Sequence, residues 1–200
     1  MKEVRNYDLP DHKLLESEEN TVLVWIPEKT CIVLGASNNP ETSLIAENVI
    51  ADNIIVYKRN SGGQAVVLTP NVIAISKLFV NSGKLQPKTV FKEVNSQIIS
   101  VLENLDVKDL SHEGISDIAI SGKKILGSSI YRFKEKLLYH AVLNFAEPTS
   151  TFERYLKHPL KEPDYRKGRR HGDFVTSIIE NSIYLQINWL SLFASHIQML

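Results

Sequence analysis

The sequence predicts an α/β fold of the α+β type, with a β-sheet flanked by helices, in a single domain that covers residues 1–200. Short runs rich in β-branched and aromatic residues alternate with turn residues, which is typical of β-strands. One long segment, residues 89–105, carries apolar residues at helical spacing. A chain of 200 residues can bury one sizeable core, and no repeat or linker divides it.

Composition excludes several classes of protein. The 23 basic and 23 acidic residues balance, so the overall charge favours neither a nucleic-acid partner nor an anionic membrane. The single cysteine, Cys31, excludes an internal disulfide and a cysteine metal cluster, and favours a reducing compartment. No apolar run reaches the roughly 18 residues of a membrane span, and the N-terminus lacks a signal-peptide core. We therefore expect a soluble, cytoplasmic protein.

The first two strands are expected to form a β-hairpin. Residues 21–26 and 30–34 are rich in β-branched and aromatic side chains, and Pro27-Glu28-Lys29 between them is a turn sequence. Cys31 lies in the second strand, where a buried thiol is favoured over a nucleophile. At most a short helix, residues 12–16, precedes the hairpin.

The rest of the chain alternates strands with helices. The strands are expected at residues 54–57, 66–67, 72–80, 115–120, 124–130 and 137–145, and the helices at residues 41–50, 89–105, 151–156 and 174–198. Thr89 is the expected N-cap of the long helix, and Asp173 that of the last helix. The apolar stripe of the long helix should cover the sheet.

A glycine-containing segment between two strands has the composition of an anion-binding turn. It reads Lys-Arg-Asn-Ser-Gly-Gly at residues 58–63. Gly62 and Gly63 let the backbone approach a ligand closely, so that successive N–H groups can bind a phosphate or carboxylate while Arg59 adds charge. The alternative is a hairpin turn that happens to lie beside basic residues.

A second segment combines lysines with a glycine and hydroxyls. Residues 122–129 read Gly-Lys-Lys-Ile-Leu-Gly-Ser-Ser at the start of a strand. Side chains alternate along a strand, so only one of Lys123 and Lys124 can enter a site. The spacing differs from a Walker loop. Taken alone, the segment favours ordinary exposed lysines at a hairpin.

Together, these segments resemble motifs of the biotin/lipoate protein ligase superfamily, and specifically a short form of the lipoate-protein ligase A family without its C-terminal accessory domain. The family loop Arg-Arg-x-Ser-Gly-Gly-Gly-Ala-Val is similar to residues 58–66, with Gln64 in place of the third glycine. The motif Asp-Ile-x-x-x-Gly-x-Lys-x-x-Gly-Ser-Ala is similar to residues 117–129, and the strand His-Gly-Thr-Leu-Leu to residues 140–144. The motif-bearing region spans about residues 21–175.

The resemblance implies a biotin/lipoate ligase catalytic-domain fold with a mixed or antiparallel sheet. It implies an apolar tunnel for a lipoyl or octanoyl chain with an adenylate beside it, and it assigns Lys124 as the catalytic residue. The implied acyl- and adenylate-binding residues are Arg59, Ser61, Gly62, Gly63, Gln64, Ala65, Val66, Asp117, Gly127, Ser128 and His140. Asp117 is also a candidate ligand for Mg²⁺.

The implied reaction uses ATP and Mg²⁺ to convert lipoic or octanoic acid into an acyl adenylate. The acyl group then passes to a lysine of a lipoyl-acceptor domain, in a 2-oxoacid dehydrogenase or in glycine cleavage H protein. A separate accessory protein is a further possible partner. Two alternatives stay open: an octanoyl or lipoyl transferase that uses a pre-activated donor, and a non-catalytic acyl-binding or regulatory member. The second is favoured by Leu68-Thr69, which replace the family's His-Asp pair.

A basic segment follows the motif strands. Residues 157–171 contain six basic and two acidic residues, with prolines that prevent a helix. The segment resembles Glu-Pro-x-Tyr-Arg and Arg-x-His-x-x-Phe elements of short family members. We expect it to lie over the adenylate or to meet an acidic face of the acceptor domain; a solvated surface connection is the alternative.

Overall fold

The structure is a computed structural model that describes residues 3–182 and 188–199. The strands are β1 (Arg5–Asn6), β2 (Thr21–Trp25), β3 (Cys31–Leu34), β4 (Ile55–Lys58), β5 (Val66–Leu68), β6 (Val72–Phe79), β7 (Leu110–Glu113), β8 (Asp117–Ile120), β9 (Lys123–Phe133) and β10 (Lys136–Asn144). The helices are α1 (Pro40–Ser43), α2 (Ala46–Ala51), α3 (Pro87–Asn104), α4 (Thr149–Tyr155), α5 (His171–Phe174), α6 (Ile178–Asn181) and α7 (Trp189–Gln198). Short 3₁₀ helices lie at Pro10–Glu16 and Asp164–Arg166.

The described strands form two sheets. The larger sheet has the antiparallel order β2-β6-β10-β9-β8-β7. The smaller sheet has the order β1-β4-β3-β5 and is mixed, because β3 runs parallel to β4 and antiparallel to β5. The expected α/β class, with mixed and antiparallel strands flanked by helices, is confirmed.

The long helix α3 covers the larger sheet, as its pattern predicts. Val90, Val94 and Ile98 are buried in a cluster with residues of β6, β8 and β10. The predicted N-cap was wrong, because the helix begins at Pro87 and Gln86 is the N-cap. Proline is well suited to the first helical position, since it has no N–H to leave unpaired there. No helix within the described residues is both long and apolar enough to cross a membrane.

The predicted hairpin of the first two strands was wrong. β2 pairs with β6 in the larger sheet, whereas β3 lies between β4 and β5 in the smaller one. All four residues of β3 are buried, so this strand satisfies its backbone best with a neighbour on each side. The turn at Pro27-Glu28-Lys29 therefore connects two sheets instead of two paired strands.

The glycine segment is not a hairpin turn either. Its flanking strands β4 and β5 lie on opposite sides of β3 and do not pair with each other. Residues 59–65 consequently cross the end of β3, where the Arg59 N–H donates to the Leu34 carbonyl at 3.0 Å. This crossing places the segment beside the larger sheet.

The single helix predicted at residues 174–198 was also wrong. The described part contains α5, α6 and α7, and the stretch at residues 183–187 lies outside the described residues. Val175 is extended and bridges to Lys124, and Ser177 begins α6 with a capping box to Glu180. Asp173 lies inside α5 and does not cap a helix, since the N-cap of α5 is Arg170.

The helix predicted at residues 41–50 is divided into two. α1 ends at Ser43 because Leu44 forms a β-bridge with Leu156, and α2 begins at Ala46. The bridge brings the segment after α4 against the smaller sheet. The basic segment that follows therefore starts beside α1, where the Lys157 N–H donates to the Ser43 carbonyl at 2.9 Å.

Candidate active site

A cavity of about 910 Å³ is lined by strands of both sheets. Its apolar lining includes Trp25, Val33, Val67, Leu68, Val72, Ala74 and Val142. Of the predicted site residues, those that line it are Arg59, Gly63, Gln64, Ala65, Val66, Asp117, Lys124, Gly127, Ser128 and His140. Ser61 and Gly62 do not line it. The arrangement combines room for an apolar chain with a polar region that carries the two motifs.

Lys124 lies at the cavity with its ammonium group held by Asp117. The Nζ atom is 2.9 Å from Asp117 Oδ1, and the Asp117 side chain is 9% exposed. The other carboxylate oxygen, Oδ2, accepts a hydrogen bond from the Tyr165 hydroxyl at 2.8 Å. Lys123 is exposed and is absent from the cavity lining. The structure therefore presents one of the two lysines to the cavity, with its direction fixed by a buried carboxylate.

A β-bulge determines how Lys124 meets Gly127. In a regular strand, residues three apart point to opposite faces. The pairing of β8 with β9 shifts register between Ile118 and Ala119, which leaves Ile125 without an opposite residue. As a result the lysine reaches over Gly127, where a Cβ would lie 2.6 Å from Nζ. The absence of a side chain at Gly127 makes room for the ammonium group.

Arg59 organises the glycine segment from within. It is 7% exposed, and its guanidinium donates to Ser61 Oγ at 2.9 Å and to the Val33 carbonyl at 3.2 Å. Its Nη2 atom also donates to the Gly62 and Gln64 carbonyls at 2.8 and 2.9 Å. Burial lowers the pKa of Arg59 to about 10. The structure thus engages this arginine with loop carbonyls, which fixes the course of the segment.

Close backbone contact explains the glycine at position 63. Its φ is +89°, a conformation that residues with a side chain rarely adopt. A Cβ on Gly35 would lie 2.1 Å from the Gly63 carbonyl oxygen, so the two backbones pack directly. Gly35 also donates to Asn38 Oδ1 at 2.9 Å. The end of β3 and the glycine segment therefore form one rigid unit.

A buried hydrogen-bond chain joins this unit to the N-terminal 3₁₀ helix. Ser61 Oγ lies 2.6 Å from His140 Nε2, and His140 Nδ1 lies 3.2 Å from Asp11 Oδ2. Asp11 is 1% exposed and also accepts from the Tyr7 hydroxyl at 2.7 Å and from Ser76 Oγ at 3.0 Å. Burial acts to raise the pKa of Asp11, but hydrogen bonding and charge from His140 outweigh it, and the pKa is lowered.

Sequence reasoning missed Asp11 and Tyr7. They lie in a polar N-terminal region whose pattern gives no sign of burial, and a lone acidic residue there is ordinarily solvated. One signal was available: His140 lies on a motif strand, and a buried histidine needs a hydrogen-bonding partner. The Asp11, His140 and Ser61 side chains support the glycine segment. Asp11, Tyr7 and His140 also line the cavity, whereas Ser61 does not.

The basic segment, residues 157–171, closes one side of the cavity. Tyr165 binds Asp117, and Arg169 donates to the Gly122 and Tyr165 carbonyls at 3.1 and 2.8 Å. Burial, together with the charge of Asp117, raises the pKa of Tyr165, so the phenol stays protonated and donates. The segment is attached directly to the strand pair that carries Lys124.

Arg166 and His171 add nitrogen groups to the same region. Both line the cavity, and Arg166 is 5% exposed. Its Nε donates to the Arg169 carbonyl at 2.9 Å and lies 3.4 Å from Glu162 Oε2, whereas its buried Nη2 has no partner among the described residues. Burial and the charges of Arg166, His158 and Lys124 lower the pKa of His171 to about 4. An anion in this part of the cavity would meet a lysine and an arginine.

A cysteine, or a serine next to a histidine, can act as a nucleophile, but Cys31 and the Ser111-His112 pair are poorly placed for that role. Cys31 is 7% exposed and absent from the cavity lining, and burial raises the pKa of its thiol to about 11. Ser111 Oγ donates to Glu113, and His112 lies 3.3 Å from the Asn95 amide. Neither Ser111 nor His112 lines the cavity.

The donor set around Asp117 is not a ready Mg²⁺ site. Lys124 and Tyr165 engage its two oxygens, and the described residues contain no group of three metal-ligating side chains. Asp117 would have to release the lysine before it could bind a metal. Mg²⁺ that accompanies a nucleotide takes several of its ligands from phosphates and water.

The chain is similar in sequence to lipoate-handling proteins. A probable lipoate-protein ligase A of Mycoplasma genitalium is 27% identical over 154 residues, which are 76% of this chain and 45% of that protein. An octanoyl-[GcvH]:protein N-octanoyltransferase of Staphylococcus aureus is 28% identical over 159 residues, which are 72% of this chain and 56% of that protein. The chain therefore spans about half the length of these relatives.

Solved structures share the fold. A bi-partite lipoate protein ligase of Thermoplasma acidophilum, described with its E2 lipoyl domain, superposes with a TM-score of 0.75 at 15% identity and covers 90% of this chain and 69% of that one. A lipoate-protein ligase A bound with ATP gives a TM-score of 0.72 at 16% identity, covering 90% and 70%.

The family itself follows from the sequence match. The family model described as lipoyl protein ligase A/B catalytic domain matches residues 8–183, which include both motif segments and the basic segment. The matched region also contains Asp11 and every residue that lines the cavity except Tyr7. The chain belongs to the lipoyl protein ligase A/B catalytic-domain family.

Proposed function

We propose that this chain provides one catalytic domain of a lipoate-protein ligase. In the first step a carboxylate oxygen of lipoic or octanoic acid attacks the α-phosphorus of ATP, and pyrophosphate leaves. In the second step the amine of an acceptor lysine attacks the acyl carbon, AMP leaves with the bonding electrons, and the amine loses a proton to solvent. Neither step needs a nucleophile from the protein.

The observation that carries the proposal is the position of Lys124. Lys124 is a cation that Asp117 holds in the lining of a largely apolar cavity, and this supports binding of an acyl adenylate with its carbonyl and phosphate beside the ammonium group. Such a preorganised charge stabilises the negative charge that develops on the carbonyl oxygen, an effect worth several kcal/mol in comparable sites. The apolar lining accommodates an eight-carbon chain, for which 910 Å³ is ample.

The phosphate region is supported by two further features. Arg59 binds the Gly62 and Gln64 carbonyls and so holds the glycine segment in place. Since these carbonyls are engaged by Arg59, the backbone N–H groups of the segment are the groups that can donate to an anion. Arg166 also lines the cavity, and its Nε donates to the Arg169 carbonyl. Its buried Nη2 has no partner among the described residues, so a small movement of the basic segment would let it bind a phosphate oxygen. ATP is bound in the similar ligase structure.

The proposed acceptor is a lipoyl domain of a 2-oxoacid dehydrogenase or the glycine cleavage H protein. The similar archaeal ligase is described with an E2 lipoyl domain, and the staphylococcal relative is named for GcvH. Mg²⁺ would accompany ATP and offset the charge of its phosphates; the residues described here supply no preformed site for it.

An acyl transferase is the second candidate, because the staphylococcal relative carries that name. The position of the single cysteine argues against a thioester route, since Cys31 is buried and un-ionised. A non-catalytic acyl-binding member remains the third class. The sequence feature that favours this class is Leu68-Thr69. Leu68 is the last residue of β5, and the Thr69 hydroxyl after it donates to Glu147 Oε2 at 2.5 Å.

Pyrophosphate release separates the three candidates. The ligase is expected to release pyrophosphate when it is mixed with ATP, Mg²⁺ and lipoate, and Lys124→Ala is expected to lower the rate by about 100-fold or more. Transfer from an octanoyl-carrier protein without ATP would support the transferase instead. Acyl binding without either reaction would assign the chain to the non-catalytic class.

A further inference from the structure

Two large apolar side chains are exposed at the mouth of the cavity. Leu160 is 82% exposed and Ile115 is 67% exposed, and both line the cavity. Leu160 lies on the basic segment, whereas Ile115 lies in the turn between β7 and β8. The two segments touch, since a Cβ atom on Gly114 would lie 3.5 Å from the Pro163 Cβ. Leu160 and Ile115 are referred to below as the mouth pair.

The mouth pair is not part of the protein's own core. Neither residue packs into the clusters of buried residues. Other exposed apolar residues, such as Ile26 and Ile50, do not line the cavity. Single exposed apolar residues are common on protein surfaces, but two that frame the entrance of a site are typical of a contact with a partner.

The surroundings of the mouth pair are basic. Lys161 follows Leu160, is exposed, and has no ion pair within the part of the chain that the structure describes. The basic segment has two acidic residues, of which Glu162 is engaged by His158 and by the Gly168 N–H, whereas Asp164 is exposed and lines the cavity. Against these two, the segment contains six lysines and arginines, so its net charge is positive. A basic rim around an apolar contact favours a partner with acidic side chains, because complementary charge speeds encounter and fixes orientation.

We propose that the mouth pair is the docking contact for the acceptor domain. The partner is a folded domain that presents its target lysine on an exposed turn flanked by acidic side chains. This inference rests on the proposed function, in which the lysine amine must enter the cavity to reach the acyl carbon beside Lys124. A domain bound at the mouth can extend a lysine side chain inward while its own backbone stays outside.

The test separates docking from chemistry. Leu160→Asp and the double variant Leu160→Ser with Ile115→Ser are compared with wild type in three assays. These are pyrophosphate release with lipoate and ATP, lipoyl transfer to an unmodified lipoyl domain of a 2-oxoacid dehydrogenase, and calorimetric titration of that domain. Ile50→Asp, at an exposed apolar residue outside the cavity lining, is the matched control.

Both variants are expected to raise the KM for the lipoyl domain by about tenfold or more and to leave pyrophosphate release unchanged. The control is expected to behave as wild type. Addition of salt is expected to raise the wild-type KM, because the rim contributes charge attraction.

An unchanged KM and an unchanged titration in both variants would overturn the docking proposal and leave the proposed function intact. Loss of pyrophosphate release in the variants would also overturn it, by assigning the mouth pair to activation. If wild-type protein releases no pyrophosphate, the proposed function fails. The titration then still decides the docking surface, since weaker binding by the variants supports it and equal binding contradicts it.

Discussion

Individual residues at this site act mainly by holding other residues in place. Asp117 binds Lys124 and Tyr165, Arg59 binds the glycine segment, and Asp11 binds His140. Each is a buried charged group with hydrogen-bonding partners, the condition under which a charge is tolerated inside a protein. Changes at such residues should alter the geometry of the site as well as its charge.

Gly127 offers a direct test of the position of the lysine. Gly127→Ala would place a methyl group 2.6 Å from the present position of Lys124 Nζ, so the flexible lysine must move away. We expect pyrophosphate release to fall by about tenfold or more, with unfolding free energy changed by less than about 1 kcal/mol. Enzyme assays together with thermal unfolding check this, and full activity in the variant would show that the present position of Nζ is unimportant.

Asp11→Asn tests the hydrogen-bond chain that supports the glycine segment. The amide can accept at one atom only, so either Tyr7, or both Ser76 and His140, lose their acceptor. We expect a loss of about 1–3 kcal/mol in the free energy of unfolding and a higher KM for lipoate. Urea titration measures the first and kinetics the second. Asp8→Asn, at an exposed position, is the control; equal behaviour of the two variants would contradict a role for Asp11.

At the scale of elements, the basic segment is the least predictable part of the site. Its charge pattern indicated an exposed connection or a lid, and the structure attaches it to the β8–β9 pair through Tyr165 and Arg169. Strand β7 (Leu110–Glu113) was not predicted, because its four residues are too few to show the alternation of apolar and polar side chains that indicates a strand. By contrast, α3 was predicted to within two residues at its start, since its apolar stripe is long and regular.

Arg166→Gln tests the basic segment as part of the phosphate region. The variant keeps a polar side chain with an N–H donor but shortens it and removes the charge and the planar fork that binds phosphate. We expect the rate of pyrophosphate release to fall by about tenfold, with a higher KM for ATP. Arg170→Gln is the control, because that side chain is 78% exposed and pairs with Glu153. Equal kinetics for both variants would remove Arg166 from the site.

At the scale of the whole molecule, the site depends on the meeting of two sheets. The smaller sheet provides β3, β5 and the glycine segment, and the larger sheet provides β6, β9 and β10 with Lys124 and His140. The long helix α3 stabilises the larger sheet through its stripe of buried apolar side chains. Burial of each of these side chains contributes on the order of 1.5–3 kcal/mol. Global stability and the integrity of the cavity should therefore be lost together.

The dependence of stability on pH provides a global test. The pKa of His171 is lowered from its usual 6.5 to about 4, so between these values the unfolded chain binds a proton that the folded chain does not. Stability is therefore expected to fall as pH drops from about 6.5 to about 4. The loss from this residue should be on the order of 1 kcal/mol, because His171 is partly exposed.

Urea unfolding at pH 7 and pH 4.5 measures this change, with His171→Gln as the comparison. The variant lacks the titrating group and should lose less stability over the interval. An equal loss in both proteins would show that His171 does not contribute. Asp11, whose pKa is lowered, keeps its contribution above its ordinary pKa of 3.8 and loses it only as pH falls further.

The sequence by itself determined the family, the fold class, the long helix and the two segments that carry Lys124 and the glycines. These features depend on local patterns, in which residue type and spacing indicate the secondary structure and the chemical groups of the site. The tertiary structure alone decided which strands pair, that the β8–β9 bulge brings Lys124 over Gly127, and that Asp11 supports His140 from the far end of the chain. Such contacts join residues distant in sequence, and their partners are selected by packing and by the need to satisfy buried polar groups, neither of which a local pattern records.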